Sequence, residues 1–209
     1  MHGTVPPLHA LTSDVVLADP AFIATARTVM LDCRRRVAIH IRAIETPARR
    51  LLEVALELRV IAEETGSWVL VHDRVDVAIV AGISGAQLTS HSLPIADARR
   101  IAPRMILGAS VHSSADAWLT AQSGATFLVA GPGGDAGTAG TAGAAFIRGI
   151  VDAADGCPVI AVGGMTPERV HDVVRAGASG VAAVRGIWLD DAARATRRYL
   201  AAYDEGLRR

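Results

Sequence analysis

From Leu8 onward, short apolar runs alternate with longer stretches whose apolar positions recur every three or four residues. The runs are LHALT at 8–12, VAIHIR at 37–42, WVLV at 68–71, GAQL at 85–88, MILGA at 105–109, TFLVA at 126–130, PVIAV at 158–162 and SGVAAV at 179–184. Each reads as a strand buried on both faces, as parallel sheets require. Between them the spacing predicts helices from about 20 to 31 and from Thr46, as cap, to Thr65, closed by Gly66. A further helix follows Thr166 and Pro167, buries Val170, Val173 and Val174, and stops at Gly177. Eight strand-helix alternations with short loops predict one (β/α)8 barrel domain over residues 1–209.

In such a barrel the C-terminal strand ends carry the site, and polar residues cluster there. Strand alternation points His40 and Arg42 to the same side. His72 and Asp73, then Thr89 to His91, then Ser110 and His112, then Gly131 and Pro132 follow successive strands. Histidines at several strand ends could converge on one cavity, where imidazole moves protons near neutral pH. Gly163 and Gly164, and the turn Val184, Arg185 and Gly186, each lie between a strand and a helix. Such turns let backbone N–H groups approach an anion, so the two adjacent units predict a phosphate cup. The stretch GPGGDAGTAGTAG from 131 to 143 is too glycine-rich for helix or strand and is expected to be a lid carrying Thr138 and Thr141.

Composition narrows the chemistry. The 209 residues are 51% hydrophobic with zero formal charge, and basic residues are scattered apart from Arg34 to Arg36. That excludes a nucleic-acid stripe and an anionic membrane partner. All 21 basic residues are arginine, so Schiff-base chemistry is excluded. Cys33 and Cys157 lack metal-ligand spacing, and no signal peptide or span stands out, so a cytoplasmic protein with two packing cysteines is expected. The histidines and Asp73 form no metal pattern; neither a metal nor a cofactor is expected, and a homodimer stays open.

The motifs LHALTSD at 8–14, AIHIR at 38–42, HDRVDVA at 72–78, QLTSHSLP at 87–94, GASVHSSADA at 108–117 and VIAVGGMTPERVHDV at 159–173 together resemble the thiamin phosphate synthase and TenI superfamily. The resemblance implies a TIM barrel in which a phosphorylated thiazole sits on Gly163, Gly164, Val184 and Arg185, in agreement with the cup that Gly186 completes; His72, Asp73, Ser110, Gly131 and Thr138 are the candidate substrate contacts. The synthase branch joins a pyrimidine diphosphate to a thiazole phosphate with the help of lysine and magnesium. Here His40 stands at its glutamine position, Ile44 at its lysine position, His72 at its asparagine position and Ser92 at its second aspartate position. Losing those partners leaves a diphosphate poorly compensated. The TenI branch instead isomerises a thiazole carboxylate phosphate, and its His-Ile-Arg and Gly-Gly-Met-Thr-Pro motifs match His40 to Arg42 and Gly163 to Pro167. Its histidine after the sixth strand is Pro132 here, which cannot carry a proton. The leading expectation is therefore a TenI-like thiazole tautomerase using His40 or His112 with Arg42. A synthase and a non-catalytic binder of a thiamin-pathway phosphate are the alternatives.

Overall fold

All eight apolar runs become strands and pair in parallel, each with the next in sequence, until the last closes on the first. The computed structural model describes residues 4–132, 143–188 and 191–208. The strands are β1 (Leu8–Leu11), β2 (Val37–Ile41), β3 (Trp68–His72), β4 (Gly85–Leu88), β5 (Ile106–Val111), β6 (Phe127–Ala130), β7 (Val159–Val162) and β8 (Gly180–Ala183). Around them lie α1 (Asp14–Ala18), α2 (Phe22–Cys33), α3 (Ala48–Thr65), α4 (Val75–Ala81), α5 (Ile95–Ile101), α6 (Ser114–Gln122), α7 (Ala144–Ala153), α8 (Pro167–Arg175) and α9 (Ala192–Leu207). This is a TIM barrel. The expected lid from 131 to 143, with Thr138 and Thr141, lies mostly outside the described residues.

Local signals decide most helix ends. Gly66 closes α3 at φ 73°, a left-handed conformation that costs glycine little, and Pro167 opens α8 behind an extended Thr166. Thr46 is not the cap of α3. That helix starts at Ala48 behind Pro47, because Asp14 draws the preceding loop toward itself: its carboxylate accepts the N–H groups of Ile44, Glu45 and Thr46 and the Thr46 hydroxyl at 2.7–3.1 Å. These bonds hold the Asp14 carboxyl down to about 2.

Alternation along each strand divides the apolar residues into two layers. Outward ones such as Ile39, Val69, Leu107 and Leu128 pack under the helices. Inward ones, Leu11, Ala38, Trp68, Leu70, Ile106, Phe127, Val129, Ile160 and Ala182, fill the barrel. Glycine supplies the room that bulky neighbours need. A Cβ on Gly108 would lie 2.3 Å from the Phe127 ring and 2.2 Å from the Gln87 amide oxygen, and one on Gly85 would lie 1.8 Å from the Ile106 carbonyl oxygen. Backbone cannot yield as a flexible side chain can. Gly85→Ala should therefore lower stability by at least about 2 kcal/mol in urea titration, whereas a shift under about 0.5 kcal/mol would mean that the strands are not packed this closely.

Candidate active site at the barrel mouth

The residues that follow the strands gather at one end of the barrel. Arg42, just past β2, is fixed through its backbone: its N–H donates to the Thr12 hydroxyl at 2.9 Å, and that hydroxyl donates to the Arg42 carbonyl at 3.0 Å. Its guanidinium makes no ion pair or hydrogen bond among the described residues, yet lies close enough to hold the His72 pKa down. An unpaired cation at a barrel mouth is available to an anionic ligand.

Three histidines form a chain through the interior. His9 Nε2 lies 3.0 Å from the Pro6 carbonyl oxygen, His9 Nδ1 lies 2.7 Å from His40 Nε2, and His40 Nδ1 lies 3.0 Å from His72 Nε2. The Phe127 ring packs against His9 and His40 with centroids 5.1 Å and 6.4 Å away. Burial disfavours the charged form of all three. His9 is lowered to about 3 by burial, and His72 to about 3 by burial and then by the Arg42 charge. His40 is lowered well below its ordinary value by burial and then by its two histidine neighbours. The expected proton-carrying role of His40 needs a free nitrogen, and both of its nitrogens are taken; of the chain, only His72 reaches the mouth.

The other expected residues divide. His112 is exposed at the end of β5 and donates Nδ1–H to the Gly131 carbonyl at 2.8 Å, outside the histidine chain, and His91 lies exposed beyond β4. Ser110 accepts a hydrogen bond from the Gln87 amide at 3.2 Å. Gly131 is buried against Val162, whose Cγ1 would lie 2.7 Å from a Cβ there. Asp73 takes a left-handed φ of 58°, and its two carboxylate oxygens accept the Thr89 N–H at 2.7 Å and the Thr89 hydroxyl at 2.9 Å. Magnesium wants further carboxylates around an octahedral shell, and no group of three His, Cys, Asp or Glu forms a set among the described residues. With Asp73 already committed to Thr89 and serine at position 92, these residues do not fit a magnesium site.

The glycine turns form the opposite wall. Gly163 and Gly164 take φ values of 110° and 55°, and the backbone N–H groups of Gly163, Gly164, Arg185 and Gly186 have no backbone or side-chain acceptor among the described residues. Tyr199 of α9 supports both turns from beneath. Its buried hydroxyl donates to the Met165 carbonyl at 2.7 Å, and the same oxygen would lie 2.4 Å from a Cβ on Gly186. Trp188 ties the second turn back to β1 by donating its indole N–H to the Leu11 carbonyl at 2.7 Å.

His9, Gln87 and Tyr199 are absent from the sequence-based candidates. The first two were legible: the parity that pairs His40 with Arg42 also turns His9 inward with Leu11 and places Gln87 inside β4. Tyr199 lies far along the chain from the turns it supports and leaves no local signal.

The chain is a TIM barrel that gathers arginine, histidine and open backbone amides at its C-terminal strand ends. The sequence model of the thiamine monophosphate synthase family matches residues 21–187, and the chain belongs to that family. It is 36% identical over 176 residues to a thiamine-phosphate synthase of Pyrococcus horikoshii, covering 82% of this chain and 81% of that protein. A thiamine-phosphate synthase of Methanoculleus marisnigri is 38% identical over 154 residues, covering 71% and 72%. Among solved structures, a thiamine phosphate pyrophosphorylase from Pyrococcus furiosus superposes with a TM-score of 0.85 at 28% identity over 98% of both chains. These relatives overturn the expected TenI-like tautomerase and its isomerase assignment, since the proteins that match along most of their length bear the synthase name. No helix among the described residues is long and apolar enough to cross a membrane.

Two outcomes follow from this geometry. Histidine in an unfolded chain titrates near 6.5, so as the pH falls below that value the unfolded chain takes up protons that buried His9 and His72 refuse until about 3. Stability is therefore full above pH 6.5 and is lost between 6.5 and 3, at roughly 1 kcal/mol per pH unit for each of the two histidines. Urea midpoints should fall from pH 7 to pH 5, where carboxylates contribute little, and a flat profile would contradict the buried neutral chain. Tyr199→Phe should cost about 1 kcal/mol of stability and weaken sulfate binding measured by calorimetry, while Tyr203→Phe should leave sulfate binding unchanged.

Proposed function

We propose that this protein is a thiamin-phosphate synthase, a transferase that joins a pyrimidine diphosphate to a thiazole phosphate at the barrel mouth. The observation that carries the reading is the pair of open turns at 163–164 and 185–186, whose amides lack acceptors among the described residues, in a chain 36% and 38% identical to proteins named thiamine-phosphate synthase. Converging backbone N–H groups of two glycine turns are the donor set a phosphate dianion needs, and they cost no reorganisation on binding. Gly163, Gly164, Val184, Arg185 and Gly186 then hold the thiazole phosphate. The pyrimidine lies toward His72, Ser110 and Gly131, with its diphosphate toward Arg42.

As the new bond forms, the bond to the diphosphate breaks, and the diphosphate leaves with the electron pair. Negative charge grows on that group, and the Arg42 guanidinium, which has no carboxylate partner among the described residues, is placed to offset it. His72 stays neutral beside Arg42, so the site gathers no second cation that would push Arg42 away.

Purified protein supplied with both phosphorylated substrates should release thiamin phosphate and pyrophosphate. Arg42→Ala should lower kcat/KM by about tenfold to a hundredfold while the fold survives. Crystals soaked in sulfate should hold an anion on the amides of Gly163, Gly164, Arg185 and Gly186. A second reading, a binder without turnover, is favoured by the lysine-free mouth and by Ile44, 76% exposed at the expected lysine position. Binding of both phosphates with no product would establish that reading and overturn the synthase.

A further inference from the structure

The histidine chain can be protonated in one way only while it is neutral. The Pro6 carbonyl oxygen accepts and never donates, so His9 must carry its proton on Nε2, and its Nδ1 is a lone pair. That lone pair receives a proton from His40 Nε2, which leaves His40 Nδ1 as an acceptor. His40 Nδ1 in turn receives the proton of His72 Nε2. His72 Nδ1 is then a lone pair with no partner among the described residues, on a side chain that reaches the mouth. One carbonyl at the foot of the barrel thereby sets the chemistry of a nitrogen at its top.

The neighbouring strand position repeats the character. Gln87 pairs with His72 across β3 and β4, and its amide hydrogens go to the Leu88 carbonyl at 3.3 Å and to Ser110 Oγ at 3.2 Å. Its amide oxygen is buried with no partner among the described residues. The Gln87 oxygen faces Gly108, where a Cβ would lie 2.2 Å from it, so the lone pair that reaches the mouth is that of His72.

We propose that His9 and His40 are positioning residues that lock His72 in its Nε2–H form, making His72 Nδ1 a permanent neutral acceptor for an N–H donor on a ligand's heteroaromatic ring. The complement of an acceptor edge is a ring bearing an amino group, and a carbonyl-bearing or methyl-bearing ring offers it nothing at that place. This rests on the synthase reading only in taking the pyrimidine as the ring that arrives. The burial that keeps all three imidazoles neutral keeps the arrangement single-valued, because one added proton would let the chain run in either direction.

The test is nitrogen NMR of the full chain labelled with ¹⁵N-histidine, without ligand and then with 4-aminopyrimidine or 4-methylpyrimidine as probes. His9, His40 and His72 should each show protonated Nε2 and unprotonated Nδ1 at pH 7, with the inner N–H protons slow to exchange. His72 Nδ1 should shift with the amino compound and not with the methyl compound. His9→Leu should release the lock, so that His72 acquires a fraction of the Nδ1–H form and binds 4-aminopyrimidine about twofold or more weakly, with sulfate affinity unchanged. A wild-type His72 carrying its proton on Nδ1, a cationic imidazole in the chain, or equal response to the two probes would overturn the proposal. If His9→Leu does not fold, the wild-type tautomers and the probe pair decide it alone. Correct tautomers and probe discrimination without synthase turnover would count against the activity and not against the lock.

Discussion

The structure depends on closure of the eight strands. Once β8 pairs with β1, every second residue of every strand is committed to a dry interior, and no edge is left to carry a misplaced polar group. An imidazole there must find partners inside the barrel or forfeit its hydrogen bonds, at a cost of a few kcal/mol for each unsatisfied group. His9 and His40 meet that demand with each other, with the Pro6 carbonyl and with His72. The interior therefore carries a hydrogen-bonded polar chain that ends at His72, the member that reaches the mouth.

The same closure explains why the mouth is stiff where it is described. Asp14 fastens the loop after β2 through three amides, and Thr12 fastens Arg42 through two hydrogen bonds to its backbone. On the other wall, Tyr199 and Trp188 hold the two glycine turns to α9 and β1. Each fastening uses backbone groups, so the flanking side chains stay free. The guanidinium of Arg42 and the amides of Gly163, Gly164, Arg185 and Gly186 are consequently left unsatisfied among the described residues, and that is the condition for binding an anion without prior rearrangement.

The barrel was legible because its signals are local. Each strand is an uninterrupted apolar run, and Gly66, Gly177, Pro167 and the two glycine turns mark their own boundaries. Thr46 misled because its hydroxyl could cap a helix and a distant carboxylate, Asp14, claimed it instead. Tyr199 could not be read at all, since its acceptor at Met165 lies 34 residues away. His40 falls on the inward face that alternation gives it, with both ring nitrogens taken by His9 and His72. Alternation says which way a side chain points, whereas a proton carrier also needs a free nitrogen, and only the positions of His9 and His72 reveal that none is left.

The misreading of the activity has a physical cause as well. Ile44 at a lysine position and Ser92 at an aspartate position each read as a catalytic group lost from a synthase. In a chain with 21 basic residues and no lysine anywhere, a missing lysine describes the whole sequence before it describes the site. Arginine carries the same charge and adds bidentate geometry toward oxyanions, so a diphosphate can be compensated from Arg42, on a neighbouring inward position of the same strand end, with no lysine at 44. What the proposed synthase reaction would demand is positive potential where the leaving group gathers charge. That demand fixes a place at the barrel mouth more firmly than it fixes a residue type, and the place is kept here by the hydrogen bonds that hold the Arg42 backbone to Thr12.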